Sequence, residues 1–444
     1  MPGRKSTGAK GPGQGTSTDA AAPKATPKAA PSRRSLLVAA GAGGLGIAAG
    51  ALGHAALGAE ASSGAQVDDI VPFHGQHQAG IATPMQDRMH IAAFDVTVES
   101  RDELVALLKD WTAAIEHLMK GADVGEFGAT GGSYDAPPED TGEAIGLSAS
   151  HLSVTVGFGR TLFEDSRGPR FGLRGRIPAA LIDLPHFPGD ALEEARSGGD
   201  LVLQACADDP QVAVHAIRNL ARIGFGRARV RWSQIGFGRT SSTSTSQMTP
   251  RNLFGFKDGT ANLKAEEQKA LDTHVWVGGN SGNEAWMNGG TYLVARRIRM
   301  HIETWDRTSL GEQETIFGRT KREGAPLSGG TEFSEPDFAM PGRGGPIMPV
   351  DSHVALAHPS ANGGVQMLRR GFNYTDGSDG LGRLDAGLFF IAFVIDPRTH
   401  YVPMQNAMAK NDALVEYLKH TGSGLFAIPP GIAPGQYLGH QLFS

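Results

Sequence analysis

The chain has 444 residues, 40% hydrophobic and 20% charged, which is enough to bury the cores of two domains and excludes a disordered polymer. Its 41 Lys and Arg against 46 Asp and Glu leave a net charge of −5, and with no basic run after Arg34 a nucleic-acid partner is excluded. One cysteine, Cys206, excludes an intrachain disulfide and reads as a buried structural thiol in the apolar run "LVLQACA".

The first thirty residues are rich in Gly, Pro, Ser, Thr and Ala, lack apolar periodicity and are expected to be disordered. "SRRSLL" at 32–37 then leads into an uncharged Gly/Ala-rich stretch ending at an Ala-x-Ala site, Ala59 and Ala61. This resembles a twin-arginine signal peptide, so the export machinery is an expected partner and the mature protein an extracytoplasmic one without a stable membrane span. A retained transmembrane anchor is the alternative; its Gly and Ala content makes the stretch only weakly hydrophobic. "GAGGLG" at 41–46 matches a dinucleotide fingerprint by letter, but no strand precedes it.

From 69 onward the chain reads as strands and helices. Residues 93–98 alternate Phe94, Val96 and Val98 with polar neighbours, as in a strand with one wet face. Ser100 and Glu103 form a capping box, opening a helix on Leu104, Leu107, Leu108, Trp111, Ile115 and Leu118. Strands follow at 152–156 and 201–206, then a helix from Asp209 and Pro210 to Ile223, then a strand in "ARVRW". The order β-α-β-β-α-β is ferredoxin-like. After a Ser/Thr-rich connector at 238–250 the order repeats less cleanly, with a strand at 291–302, a helix at 309–317, strands at 365–372 and 387–395, a helix at 411–420 stopped by Gly422, and a strand in "GLFAI". The second copy carries a long Gly/Pro-rich intrusion, 319–364.

Several residues stand out chemically. In "GFKDGTANL", 255–263, Asp258 precedes Gly259, a strong turn signal that also displays a carboxylate. "DSHVALAHP" carries His353 and His358, and "LRRGFNY" carries Arg369 and Arg370, which as neighbours on a strand cannot face the same side. His74 and His77 have a metal-like spacing without nearby partners, the twelve Met residues are scattered, and the lack of Cys-x-x-Cys-His excludes a c-type haem.

Five stretches in order, "VPFHGQHQAGI", "GGDLVLQACADD", "GFKDGTANL", "DSH" at 351–353 and "LRRGFNY" at 368–374, resemble the dye-decolourising peroxidases, specifically their exported, twin-arginine subgroup. The resemblance implies an α+β fold of two ferredoxin-like domains of the dimeric α+β barrel type, 62–250 and 251–444, with haem b in the second. It implies His353 as the proximal iron ligand, Asp258 as the distal acid-base group and Arg369 as the distal arginine. Leu388 and Phe390 match positions lining the peroxide pocket, and Thr260 and Asn262 are assigned to cofactor binding. The carboxylate that bonds the proximal His is Asp412 or Glu416. The implied activity is a secreted haem peroxidase that forms a ferryl species with hydrogen peroxide and oxidises dyes, phenols or other one-electron donors. Bulky donors would be oxidised through Tyr374, Trp276, Trp286, Tyr401 or Tyr417, and a homo-oligomer is compatible with the resemblance. A haem-handling or iron-acquisition protein, and a haem-free binding module, are the competing readings.

Overall fold

A computed structural model describes residues 69–279 and 282–444. The twin-arginine motif, the 41–46 stretch and the Ala59/Ala61 site lie outside them.

The first repeat follows its local signals closely. Strand β1 is Arg88–Val96, earlier than the alternation suggests, and helix α1 is Arg101–Leu118. Ser100 caps α1 by accepting from Glu103 N at 3.2 Å, and its hydroxyl meets Glu103 Oε2 at 2.7 Å. Strands β2 (Ser153–Gly159) and β3 (Leu201–Ala207) precede α2 (Pro210–Ile223), where Asp209 accepts from Gln211 N and Val212 N. Strand β4 runs over Ala228–Arg239.

The short helix α3 (Gln268–His274) leads to the second repeat, with β5 (Thr291–Met300), α4 (Leu310–Phe317), α5 (His353–Ala357), β6 (Phe372–Ser378) and β7 (Leu384–Val394). It ends with α6 (Val402–Asn411) and β8 (Leu418–Ile428). Two expectations fail here. The segment 365–372 contributes only a two-residue strand, Leu368–Arg369, before β6 starts. The helix expected over 411–420 is absent: α6 stops at Asn411, Asp412 adopts extended φ and ψ, and a short turn at Ala413–Tyr417 delivers Leu418 into β8. Pairing of Leu418, Lys419 and His420 with Met300, Arg299 and Ile298 outweighs their helical spacing.

The strands order as β2-β3-β1-β4 in the first repeat and β6-β7-β5-β8 in the second, the same order twice. Strand β4 pairs with β6 and β8 with β2, so the two sheets close into one barrel. Inward-facing Met89, Ile91, Trp232, Phe389, Ile391 and Phe426 fill it, each worth about 1.5–3 kcal/mol of apolar burial. The described residues belong to one compact unit. Helices α1 and α2 cover the outside of the first sheet. The outer face of the second carries Ile298, Met300, Leu388, Phe390 and Leu418, which instead line a cavity. The connector proves to be wall rather than linker, since Thr240, Ser241, Ser242, Thr243 and Ser244 are all buried.

Candidate active site

The loop bearing Asp258 is a small hairpin, with Asn252 N bonded to Phe256 O, Asp258 N to Pro250 O, and a bridge between Arg251 and Lys257. Phe254 and Phe256 anchor it among Trp305 and Phe317. Phe317 also meets the ring of His353 at 5.7 Å, so one aromatic cluster supports both the Asp258 loop and the histidine. Gly259 has φ +90°, and a Cβ there would lie 2.8 Å from Ser241 Cα. The Asp-Gly pair is not itself a turn: the chain turns at Leu253–Phe254 before it and at Thr260–Ala261 after it, and Asp258 lines the cavity from the stretch between.

Asp258 Oδ1 accepts from Arg369 Nη1 at 2.5 Å, and Oδ2 from Asn252 Nδ2 at 3.3 Å. Arg369 lines the same cavity, whereas Arg370 is turned into the protein beside Cys206 and donates to Thr83 O and Gln86 Oε1. His353 Nδ1 contacts Asp412 Oδ2 at 2.7 Å. Asp412 is buried, and its Oδ1 accepts from Leu414 N at 2.8 Å, which fixes the carboxylate; Glu416 is exposed. The His353 side chain is 28% accessible because it opens on the cavity. Burial lowers its affinity for a proton, but the Asp412 charge and hydrogen bond outweigh that, and the net shift is upward. His358 also lines the cavity, yet its nitrogens meet Glu335 at 3.2 Å and Ser360 Oγ at 2.8 Å.

Leu388, Phe390 and Thr260 line the cavity as expected; Asn262 does not, and instead bonds the Arg369 main chain. Sequence reasoning missed Asn252, Phe317 and Glu332. Glu332, in the long intrusion, accepts from Lys257 Nζ and Thr260 Oγ1, and no spacing in the sequence connects those three. His77 stacks on Trp276 with ring centroids 3.7 Å apart, and its Nδ1 meets Gly289 O at 2.7 Å.

The cavity, with the open solvent at its mouth included, encloses about 1720 Å³ of space. No group of three or more His, Cys, Asp or Glu side chains among the described residues is placed to hold a bare metal ion. A lone imidazole, oriented by a carboxylate and facing a cavity lined mainly by apolar side chains, fits an iron whose other ligands come from a porphyrin.

Family models agree with that fit. Residues 78–238 match the N-terminal and residues 249–433 the C-terminal model of Dyp-type peroxidases. A Deferrochelatase of Yersinia pseudotuberculosis serotype I (strain IP32953) is 37% identical over 428 residues, covering 93% of this chain and 95% of its own. Among solved structures, DtpA from Streptomyces lividans is 41% identical with TM-score 0.76, covering 84% of this chain and 98% of that one. A DyP-type peroxidase from Streptomyces coelicolor is 42% identical with TM-score 0.76, covering 84% and 96%. The chain belongs to the Dyp-type peroxidase family. It is a haem-binding oxidoreductase with the two-part ferredoxin-like α+β fold, and hydrogen peroxide and electron donors as substrates are consistent with that family.

Proposed function

We propose that this chain is an exported peroxidase that couples hydrogen peroxide to the one-electron oxidation of dyes, phenols or similar donors. The observation that carries it is the Asp258–Arg369 pair facing the same cavity as the His353–Asp412 pair. His353 would hold the iron through Nε2, since Nδ1 is committed to Asp412. Haem supplies the iron at which the O–O bond is cleaved and through which donors lose their electrons. Asp258 would take a proton from one peroxide oxygen and return it to the other, which would leave as water. Its Oδ2, held only by the longer Asn252 bond, is the atom for that transfer. The Arg369 guanidinium stabilises the negative charge that grows as the bond breaks. Two donors each supply one electron, and two protons complete the second water.

Of the five aromatic residues considered as relays, only Tyr401 lines the cavity; Tyr374, Trp276, Trp286 and Tyr417 are buried elsewhere. Tyr401, itself 2% exposed, is therefore the favoured first step of a relay out of the cavity, and a further step must carry the charge to donors too large to enter. Export rests on the twin-arginine motif; no described helix is long and apolar enough to cross a membrane. Replacing Arg33 and Arg34 together by Lys should retain the protein in the cytoplasm, as cell fractionation would show.

Substituting His353→Ala should abolish haem incorporation, while His358→Ala leaves the ferric spectrum intact; the reverse pattern would transfer the ligand role. Asp258→Asn and Arg369→Leu should each slow the reaction with peroxide by about 10²- to 10⁴-fold in stopped-flow mixing. Wild-type rates in both would remove the mechanism. The second reading, iron release from haem, is favoured by the name of the 37% identical relatives. Accumulation of iron-free porphyrin without peroxide consumption would select it.

A further inference from the structure

Asn262 lies on the Asp258 loop but points away from the cavity, and it is 5% exposed. Its Oδ1 accepts from Arg369 N at 2.7 Å, and its Nδ2 donates to Arg369 O at 2.9 Å. Nδ2 also donates to Ser242 O at 3.1 Å. The amide thus treats Arg369 as a neighbouring strand would, satisfying both its main-chain groups. Arg369 needs this support. Its strand is two residues long and pairs with β7 only at Phe393 and Ala392, beyond the stretch of β7 that β6 covers.

The same loop reaches Arg369 twice. Asp258 meets the guanidinium at 2.5 Å while Asn262, four residues later, holds the main chain. The backing is firm as well. Ser242 is buried, and Lys264 Nζ donates to its carbonyl at 2.8 Å and to its hydroxyl at 2.6 Å.

We infer that Asn262 is a positioning residue for Arg369, clamping the main chain from which the guanidinium reaches Asp258 and the bound peroxide. This rests on the reading that Arg369 acts on peroxide. It reassigns Asn262 from the cofactor to the strand behind it. Misplacement of a reacting group by about 1 Å costs up to roughly a hundredfold in rate, so the clamp is large enough in effect to be measured.

The test compares wild type, Asn262→Ala, Arg369→Leu and the double variant. In the haem-free protein, Asn262→Ala should speed hydrogen exchange at the Arg369 amide, which has lost its acceptor. In the haem-loaded ferric protein, fluoride should bind more weakly while the haem content stays unchanged. The second-order rate with peroxide should fall about tenfold to a hundredfold, and Asn262→Ala should add nothing further on the Arg369→Leu background. Full additivity in the double variant, or a wild-type rate in Asn262→Ala, overturns the clamp. A wild-type rate in Arg369→Leu instead overturns the role of Arg369, so the two failures are told apart. If Asn262→Ala does not accumulate, Asn262→Asp carries the test: it keeps the acceptor for Arg369 N and loses the donor to Arg369 O. An intermediate rate is then expected, and a wild-type rate refutes the inference.

Discussion

At Asp258 the turn signal and the chemistry separate. Gly259 takes a positive φ where its backbone passes Ser241, the turns fall on either side of the pair, and the Asp258 carboxylate meets Arg369. At 369 and 370 the strand's alternation decides the outcome, with one guanidinium in the cavity and the other buried beside Cys206. Burial also sets the behaviour of His90, on β1 opposite Ile235. Its Nδ1 is buried without a partner, and desolvation pushes its pKa down to about 4. In the unfolded chain a histidine titrates near ~6.5. Between these values the unfolded chain takes up a proton that the folded one refuses, so stability falls as pH drops from about 7 to about 4. Below about 4 both states are protonated and this slope ends; above about 7 the group contributes nothing. The loss is about 2–3 kcal/mol at most, since the ring is not wholly buried. Urea midpoints at pH 7.5 and pH 5 should lie closer together in His90→Gln than in wild type. An equal gap in both proteins would assign the acid sensitivity elsewhere.

Single elements were legible where a cap and a periodicity coincide. Asp209, Pro210 and the apolar stripe of α2 mark that helix from end to end, as Ser100 and Glu103 mark the start of α1. Residues 411–420 misled because Leu414, Leu418 and their neighbours have helical spacing, while the register that claims Leu418–His420 is supplied by β5 more than a hundred residues earlier. Asp412 is where the two tendencies meet: it ends α6, caps the following turn through Oδ1 and holds His353 through Oδ2. Asp412→Asn keeps the shape, and whichever way the amide turns, a neutral group replaces the carboxylate beside the imidazole. The fold should survive with haem bound. A carboxylate makes the ligand more electron-rich and favours ferric iron, so its removal should raise the ferric/ferrous midpoint potential. Spectroelectrochemical titration measures this directly, and an unchanged or lowered potential would separate Asp412 from the electronic role.

At the scale of the whole molecule, the duplicated order of elements along the chain could be read from local patterns, whereas the barrel was implied only by the family resemblance and the residues at which the two sheets close could not be read at all. The seams are short. Strand β8 meets β2 at Phe426–Gly159 and Ala427–Phe158, and β4 meets β6 at Phe237–Asn373 and Arg239–Phe372. No periodicity marks such residues, because each seam joins strands of different repeats. Nor does any local pattern show that the intrusion brings Glu332 to Lys257 and Thr260. The core tells more than the seams do, since Met89, Ile91 and Trp232 from one repeat pack with Phe389, Ile391 and Phe426 from the other in a single interior. Neither sheet keeps that interior dry alone. The two repeats should therefore unfold together despite their separate family models, which is the unusual outcome for a chain of this length. Denaturant titration followed by tryptophan fluorescence, far-UV circular dichroism and haem absorbance should give coincident midpoints. Gly157 sharpens the test, because a Cβ there would lie 2.3 Å from Ile428 Cδ1 and 3.3 Å from Phe426 Cβ, both on β8 across the seam from β2. Gly157→Val should open that seam and lower all three midpoints by the same amount. A variant in which the haem signal moves while the first repeat's secondary structure holds would show two independent domains instead of one barrel.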